Sequence, residues 1–272
     1  MAKGPCWICC SLLLVGLAIN TAEGHPSPGA YLGFDRNDYP GDESLAALRQ
    51  TFRFIGYWLN NPPAANSNAW QGKRGLIRSR GFGFLVLFNG RLDKQLKAPA
   101  DATALGNSDG RSAAAAARAE GFPAGTVIFL DQEEGGRLLP EQRAYVHAWA
   151  DAVIRAGYRA GVYCSGIPFK ESRKETVITA EDIRENAGGR EIVFWVTDDA
   201  CPPSPGCAVQ APAPGASGIA FASVWQFTQS PRRANFARGC SNYNRDGNCY
   251  APGTSIFVDF DAADSPDPSH GR

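Results

Sequence analysis

The chain has 272 residues, with 27 Lys and Arg side chains against 27 Asp and Glu and only three histidines. Zero formal net charge excludes the basic signature of a nucleic-acid or anionic-membrane partner. A hydrophobic share of 44% is that of an ordinary globular protein.

The N-terminus reads as a secretory signal. Lys3 supplies the positive region, Ile8–Ile19 the apolar run, and Ala22 and Gly24 the small residues at −3 and −1 of a cut after Gly24. A cut after Ala22 is the alternative. The apolar run is short for a span of about 20 residues, so no stable membrane anchor is expected. Cys6, Cys9 and Cys10 precede or open that run, whereas a lipid-bearing cysteine would follow it. The expectation is a signal peptide over 1–24 and one secreted domain over 25–272, extracellular or associated with a cell wall. Its length is close to the ~250 residues of a single α/β barrel.

Tyr31, Gly33 and Asp35 share one face of a first strand that Asp35 ends. Ser44–Phe52 follows as a short amphipathic helix. Phe52–Pro63 is a second strand, stopped by Asn-Asn-Pro-Pro. Gln71–Arg80 is a helix and Gly81–Gly90 a third strand. An alanine-rich helix is predicted from about Asp109 to Glu120, with Gly121 ending it, its small residues packed closely on the sheet.

The fourth strand begins at Val127 and runs into Asp131, Gln132, Glu133 and Glu134. Side chains alternate along a strand, so Asp131 and Glu133 point the same way, roughly 6.6 Å apart at about 3.3 Å per residue. That spacing falls between the carboxyl separations of retaining glycosidases, about 5–5.5 Å, and inverting ones, about 6.5–9.5 Å. Mutual repulsion of about 2.5 kcal/mol, at an effective dielectric of ~20, is enough to raise one of the two pKa values. A carboxyl kept protonated near neutral pH is what protonating a leaving oxygen requires. The alternative is two solvated acids at a strand end.

A helix runs from Pro140 to Gly157 with Val146, Trp149, Val153 and Ile154 as its buried face; His147 on it is exposed or structural. Tyr158–Gly166 is a fifth strand, Thr179–Asn186 a helix, Arg190–Asp199 a sixth strand, Ala222–Ser230 a seventh and Thr254–Asp264 an eighth. Ser265–Arg272 reads as a frayed tail. Eight strands separated mostly by helices imply parallel pairing through right-handed crossovers, hence a single (β/α)8 TIM-type barrel in the α/β class. An open doubly wound sheet would show a Gly-rich phosphate loop after its first strand, and Gly33–Asp38 is not one.

Cys201 and Cys207 flank one small polar loop, and Cys240 and Cys249 flank another. Each pair is expected to close its own loop by a disulfide in an oxidising compartment. Zinc is the rival, but the spacings are not C-x-x-C and no histidine lies near, so no metal and no cofactor is expected. Cys164 is left as a buried thiol.

In such a barrel, functional groups sit at the C-terminal strand ends. Asp35, Asp131, Glu133, Asp198, Asp199, Asp259 and Asp261 all fall there, and Asp35 and Asp259 lie on strands that neighbour one another when the barrel closes. Tyr57, Trp58, Tyr163, Trp195 and Trp225 accompany them; aromatic faces beside carboxyls suit a sugar. Histidine-based phosphodiester chemistry and a histidine-held deacetylase metal are disfavoured, because His25 and His270 lie at the termini and His147 lies mid-helix.

Four motifs carry a family resemblance: Gly33–Asp35, Asp131-x-Glu133, Trp225–Phe227 and Val258–Asp261. They resemble the strand ends of family-25 glycoside hydrolases, barrel muramidases that cut peptidoglycan. The run from Gly110 to Glu134 is similar to the related glycoside-hydrolase-like domain of unknown function numbered 1906. The resemblance implies Glu133 as general acid, with Asp131 orienting it or positioning an acetamido group. It implies Asp35 and Asp259 as stabilisers of positive charge at the sugar carbon, and Trp225 and Gln226 on the floor. Tyr57, Tyr163, Trp195, Asp198 and Asp261 complete the expected substrate-binding set. Asp261 stands where those hydrolases often have Asn, and the Trp195–Asp199 ending departs from their aromatic-rich one. The implied function is hydrolysis of a cell-wall glycan such as peptidoglycan by a monomer. The alternative is a non-catalytic glycan-binding barrel that keeps the cleft without turnover.

Overall fold

The computed structural model describes Met1, residues 29–233 and residues 243–272. The expected signal segment beyond Met1, with Cys6, Cys9 and Cys10, lies outside the described residues, as does Cys240.

Eight strands close into a barrel. In chain order they are β1 (Tyr31–Asp35), β2 (Phe54–Trp58), β3 (Gly83–Asn89), β4 (Val127–Asp131), β5 (Arg159–Ser165), β8 (Ile192–Thr197), β9 (Ala222–Thr228) and β10 (Asp259–Ala263). A two-stranded hairpin, β6 (Phe169–Lys170) with β7 (Thr176–Val177), follows β5. Among the described residues five α-helices fill the connections: α1 (Leu45–Thr51), α2 (Arg74–Ser79), α3 (Pro99–Ala119), α4 (Pro140–Arg155) and α5 (Thr179–Glu185). The result is one TIM-type barrel with a single aromatic-rich core, where Phe34 packs on Phe52 at 4.8 Å and Phe129 meets Trp195 edge-on at 5.9 Å.

Three expectations are corrected. The eighth barrel strand is antiparallel to both neighbours, β1 and β9. Among the described residues no helix lies between β9 and β10, so the chain returns as a reversal, which antiparallel neighbours permit and parallel ones do not. Asp259 therefore opens its strand rather than closing it, and still lies at the rim where the parallel strands end.

Secondly, α3 begins at Pro99, not near Asp109, with proline in the first turn where its missing N–H is harmless. Its small residues meet α4 rather than the sheet alone. A Cβ added at Gly110 would stand 2.6 Å from the Trp149 carbonyl oxygen and 2.7 Å from Ala152 Cβ, so the two helices approach as closely as glycine allows.

Thirdly, the C-terminal residues are not frayed. Ser269 accepts the Val86 N–H on Oγ at 2.8 Å, donates its N–H to the Phe84 carbonyl and accepts Val127 N–H on its own carbonyl. Asp267 takes the Phe84 N–H at 2.8 Å, and Arg74 donates to the Gly271 carbonyl at 2.7 Å. This segment supplies partners to buried amides at the start of β3 and β4 that the sheet leaves unpaired.

The cysteine pairing also differs. Cys207 bonds Cys249, with Cα atoms 5.3 Å apart and a sequence separation of 42. It joins the loop after β8 to the loop before β10, which meet because only β9 separates those strands. Cys201 is disulfide-bonded as well, and Cys164 is a buried free thiol whose pKa burial pushes up. No helix among the described residues is long and apolar enough to cross a membrane.

Candidate active site

Strand register assembles the site. Asp35 pairs with Asp259 across β1 and β10, Asp131 with Tyr163 across β4 and β5, and Tyr163 with Trp195 across β5 and β8. These side chains project inward at one rim. Gly56 lets this happen on the β2 side, because a Cβ there would stand 2.6 Å from Asp35 Cβ. Asp35, Asp131, Glu133, Asp259, Tyr163, Trp195 and Gln226 line one cavity of about 120 Å³, joined by Asn37, Trp58, Leu87 and Gln229.

A hydrogen-bond network fixes the floor. The Tyr163 hydroxyl donates to Gln226 Oε1 at 2.8 Å, and Gln226 Nε2 donates to Asp35 Oδ1 at 2.8 Å. Gln229 Nε2 reaches both the Tyr163 hydroxyl and Gln226 Oε1 at 3.2 Å. Trp195 Nε1 donates to Asp261 Oδ1 at 3.1 Å, so the fully buried Asp261 sits below the cavity and interacts with Asp35. The Ser230 N–H holds Asp259 Oδ1 at 2.6 Å, while Ser230 Oγ donates to the Val258 carbonyl and accepts the Cys249 N–H.

Burying several carboxyls together raises their pKa values. Desolvation pushes Asp35 up to about 7, opposed by hydrogen bonds from Gln226 and Asp261 and reinforced by Glu133. Asp131, Asp259 and Asp261 are also pushed well up, first by desolvation and then by their acidic neighbours. Both Asp131 carboxyl oxygens are buried with no hydrogen-bond partner among the described residues, a costly arrangement that a ligand's donor would relieve. Glu133 lies just past the end of β4 and is exposed as a residue. Its carboxyl nonetheless faces enough protein that desolvation raises its pKa, while the charge of Arg233 holds it back. Tyr163 is pushed up by burial and the surrounding acids, so it remains a neutral donor.

Of the expected substrate-binding side chains, Asp261 lies fully buried beneath the cavity rather than in its lining, and three more lie elsewhere. Tyr57 points to the opposite face of β2, fully buried against Phe84 and Phe122, with its hydroxyl donating to Glu120 at 2.6 Å. Trp58, its neighbour, lines the cavity instead. Trp225 likewise faces away from Gln226: its ring packs by Phe227 and its Nε1 donates to the Asp198 carbonyl at 3.0 Å. Consecutive strand residues cannot share a face, so Trp225 and Gln226 cannot both form the floor. Asp198 is buried beside the rim, accepts the Ala200 N–H, and is pushed up to about 6 by burial; it does not line the cavity. Gln229, Asn37 and Arg233 are absent from the expected set: Asn37 and Arg233 lie in loops beyond strand ends, and Gln229, inside the expected seventh strand, falls just past the observed end of β9.

A family model described as Rv2525c-like, glycoside hydrolase-like domain matches residues 47–182, half of the chain. Among solved structures, an uncharacterised B. stearothermophilus protein is similar over 86% of this chain and 95% of its own, at 20% identity and TM-score 0.55. The catalytic domain of endolysin ply40, from bacteriophage P40 of Listeria monocytogenes, aligns over 89% of this chain and 98% of its own, at 14% identity and TM-score 0.51. The Clostridium perfringens spore cortex lytic enzyme SleM aligns over 87% and 68%, at 14% identity and TM-score 0.51. These likenesses show a shared fold. A comparison with curated proteins finds no match.

Proposed function

This chain belongs to the Rv2525c-like, glycoside hydrolase-like domain family, and from that premise we propose that it is a secreted glycosidase acting on a cell-wall glycan such as peptidoglycan. The observation that carries the reading is the convergence of four carboxyl groups from β1, β4 and β10 on one rim cavity, with the outermost, Glu133, at its mouth. Glu133 is the general acid: raised by desolvation yet accessible, it gives a proton to the leaving oxygen. Asp35 is the group that titrates near neutral pH; ionised and steadied by Gln226, it sits where positive charge builds at the sugar carbon. Asp259 faces it across the ladder and shares that role. Asp131, beside Glu133 and without a hydrogen-bond partner among the described residues, takes a donor from the substrate or orients the acid. Tyr163, Trp195 and Trp58 give the sugar's C–H faces an aromatic wall.

Support from the neighbours is that an endolysin catalytic domain and a spore cortex lytic enzyme share this fold. The leader over 1–24 and the Cys207–Cys249 disulfide support export. The test is release of new reducing ends from purified peptidoglycan and a panel of β-glycans by residues 25–272. Wild type releases them, and Glu133→Gln, which keeps shape and removes the acid, falls by about 10²–10⁴-fold. No release from any substrate with glycan binding retained would make the protein a non-catalytic glycan-binding barrel.

A further inference from the structure

A second cavity, about 320 Å³, adjoins the acid-lined one and shares Glu133 with it. Its other walls include Gly135, Ser165, Ile167, Phe169 and Arg233. Phe169, on the β6–β7 hairpin, is 51% exposed, an aromatic face turned to solvent beside the cavity. Arg233 is held from behind: its Nε donates to Gln229 Oε1 and lies 3.6 Å from Oδ1 of the fully buried Asp199. Both contacts use Nε, and the side chain keeps 34% exposure. Its positive field reaches Glu133.

A general acid stands between the ring under attack and the departing group. The acid-rich cavity takes the reacting ring, so the cavity on Glu133's other flank receives the leaving side. A ring face for stacking and a held guanidinium fork together match a sugar that carries a carboxylate, since arginine binds carboxylates through paired donors. We propose that this second cavity is the leaving-group subsite and that Arg233 selects there a sugar unit bearing a carboxylate. The inference rests on the glycosidase reading of Glu133 and adds the class of substrate.

The test is a binding measurement in the Glu133→Gln background, where no turnover intervenes. The probes are the β-1,4-linked N-acetylglucosamine tetramer and the same tetramer oxidised to the carboxylate at C6, titrated calorimetrically at low ionic strength. The carboxylated probe binds about tenfold tighter or more, as a charge-assisted pair allows. The preference disappears on adding Arg233→Gln, and Arg233→Lys restores part of it, with near-ultraviolet circular dichroism confirming that each variant is folded. Equal affinity for the two probes, or a preference that survives Arg233→Gln, overturns the inference and leaves the glycan reading standing. Failure of both probes to bind overturns both.

Discussion

Replacing Asp35 by Asn measures what the site costs the fold. The substitution keeps the side chain's shape and leaves an oxygen for Gln226 Nε2, which now donates to Asp35 Oδ1 at 2.8 Å. It removes a carboxyl whose pKa is raised from 3.8 to about 7 by burial. A raised acid keeps its proton in the folded state while the unfolded chain releases it. The Asp35 contribution to stability therefore falls as pH rises from about 4 to about 7, and is level outside that window. At about 1.4 kcal/mol per pH unit the full effect is up to about 4 kcal/mol. Asp35→Asn should thus match wild type at pH 4 and exceed it by up to about 4 kcal/mol at pH 8, while losing glycan cleavage. Urea unfolding followed by circular dichroism at the two pH values reads this as a midpoint shift at constant slope. An equal change at pH 4 and pH 8 would refute the electrostatic account and leave only packing.

Ser269→Ala removes the Oγ that accepts the Val86 N–H and strands a buried amide, so it should cost about 1–3 kcal/mol in a thermal or denaturant melt. An unchanged midpoint would show that the Ser269 hydroxyl contributes nothing to holding the Val86 amide. Two glycine-to-alanine changes should have opposite signs in the same melt. Gly75→Ala, with nothing within 4 Å of the new methyl, should stabilise by about 0.5–1 kcal/mol through helix propensity. Gly110→Ala should instead destabilise by about 1 kcal/mol, because forcing α3 and α4 apart outweighs the same gain.

The strands were legible because each is an apolar run bounded by turn residues, and the rim acids because each ends or opens such a run. Direction was not. Whether the last strand runs with or against its neighbours depends on the connection after Thr228, whose sequence carries no clear crossover helix. The misplaced aromatics, Tyr57 and Trp225, had a usable signal. Each adjoins a residue that does line the cavity, Trp58 and Gln226, and period-two alternation permits only one of each pair. The tail's role was hidden because the amides it satisfies, on Phe84 and Val86, lie 183 residues away. The disulfide is hidden for a like reason: Cys207 is close in sequence to Cys201 but bonded in space to Cys249. Arg233, held through a loop contact to Asp199, has no periodic mark at all.

The most direct test of the central claim is how cleavage depends on the leaving group. Wild type and Glu133→Gln would be compared on N-acetylglucosaminides whose aryl leaving groups range from acidic dinitrophenol to a weakly acidic alkylphenol. A proton donor matters only when the departing oxygen is basic. The account predicts that Glu133→Gln stays close to wild type on the dinitrophenyl substrate and loses about 10²–10⁴-fold as the leaving group becomes basic. The same loss across the whole series would contradict it, showing that Glu133 serves the site in some way other than as its acid.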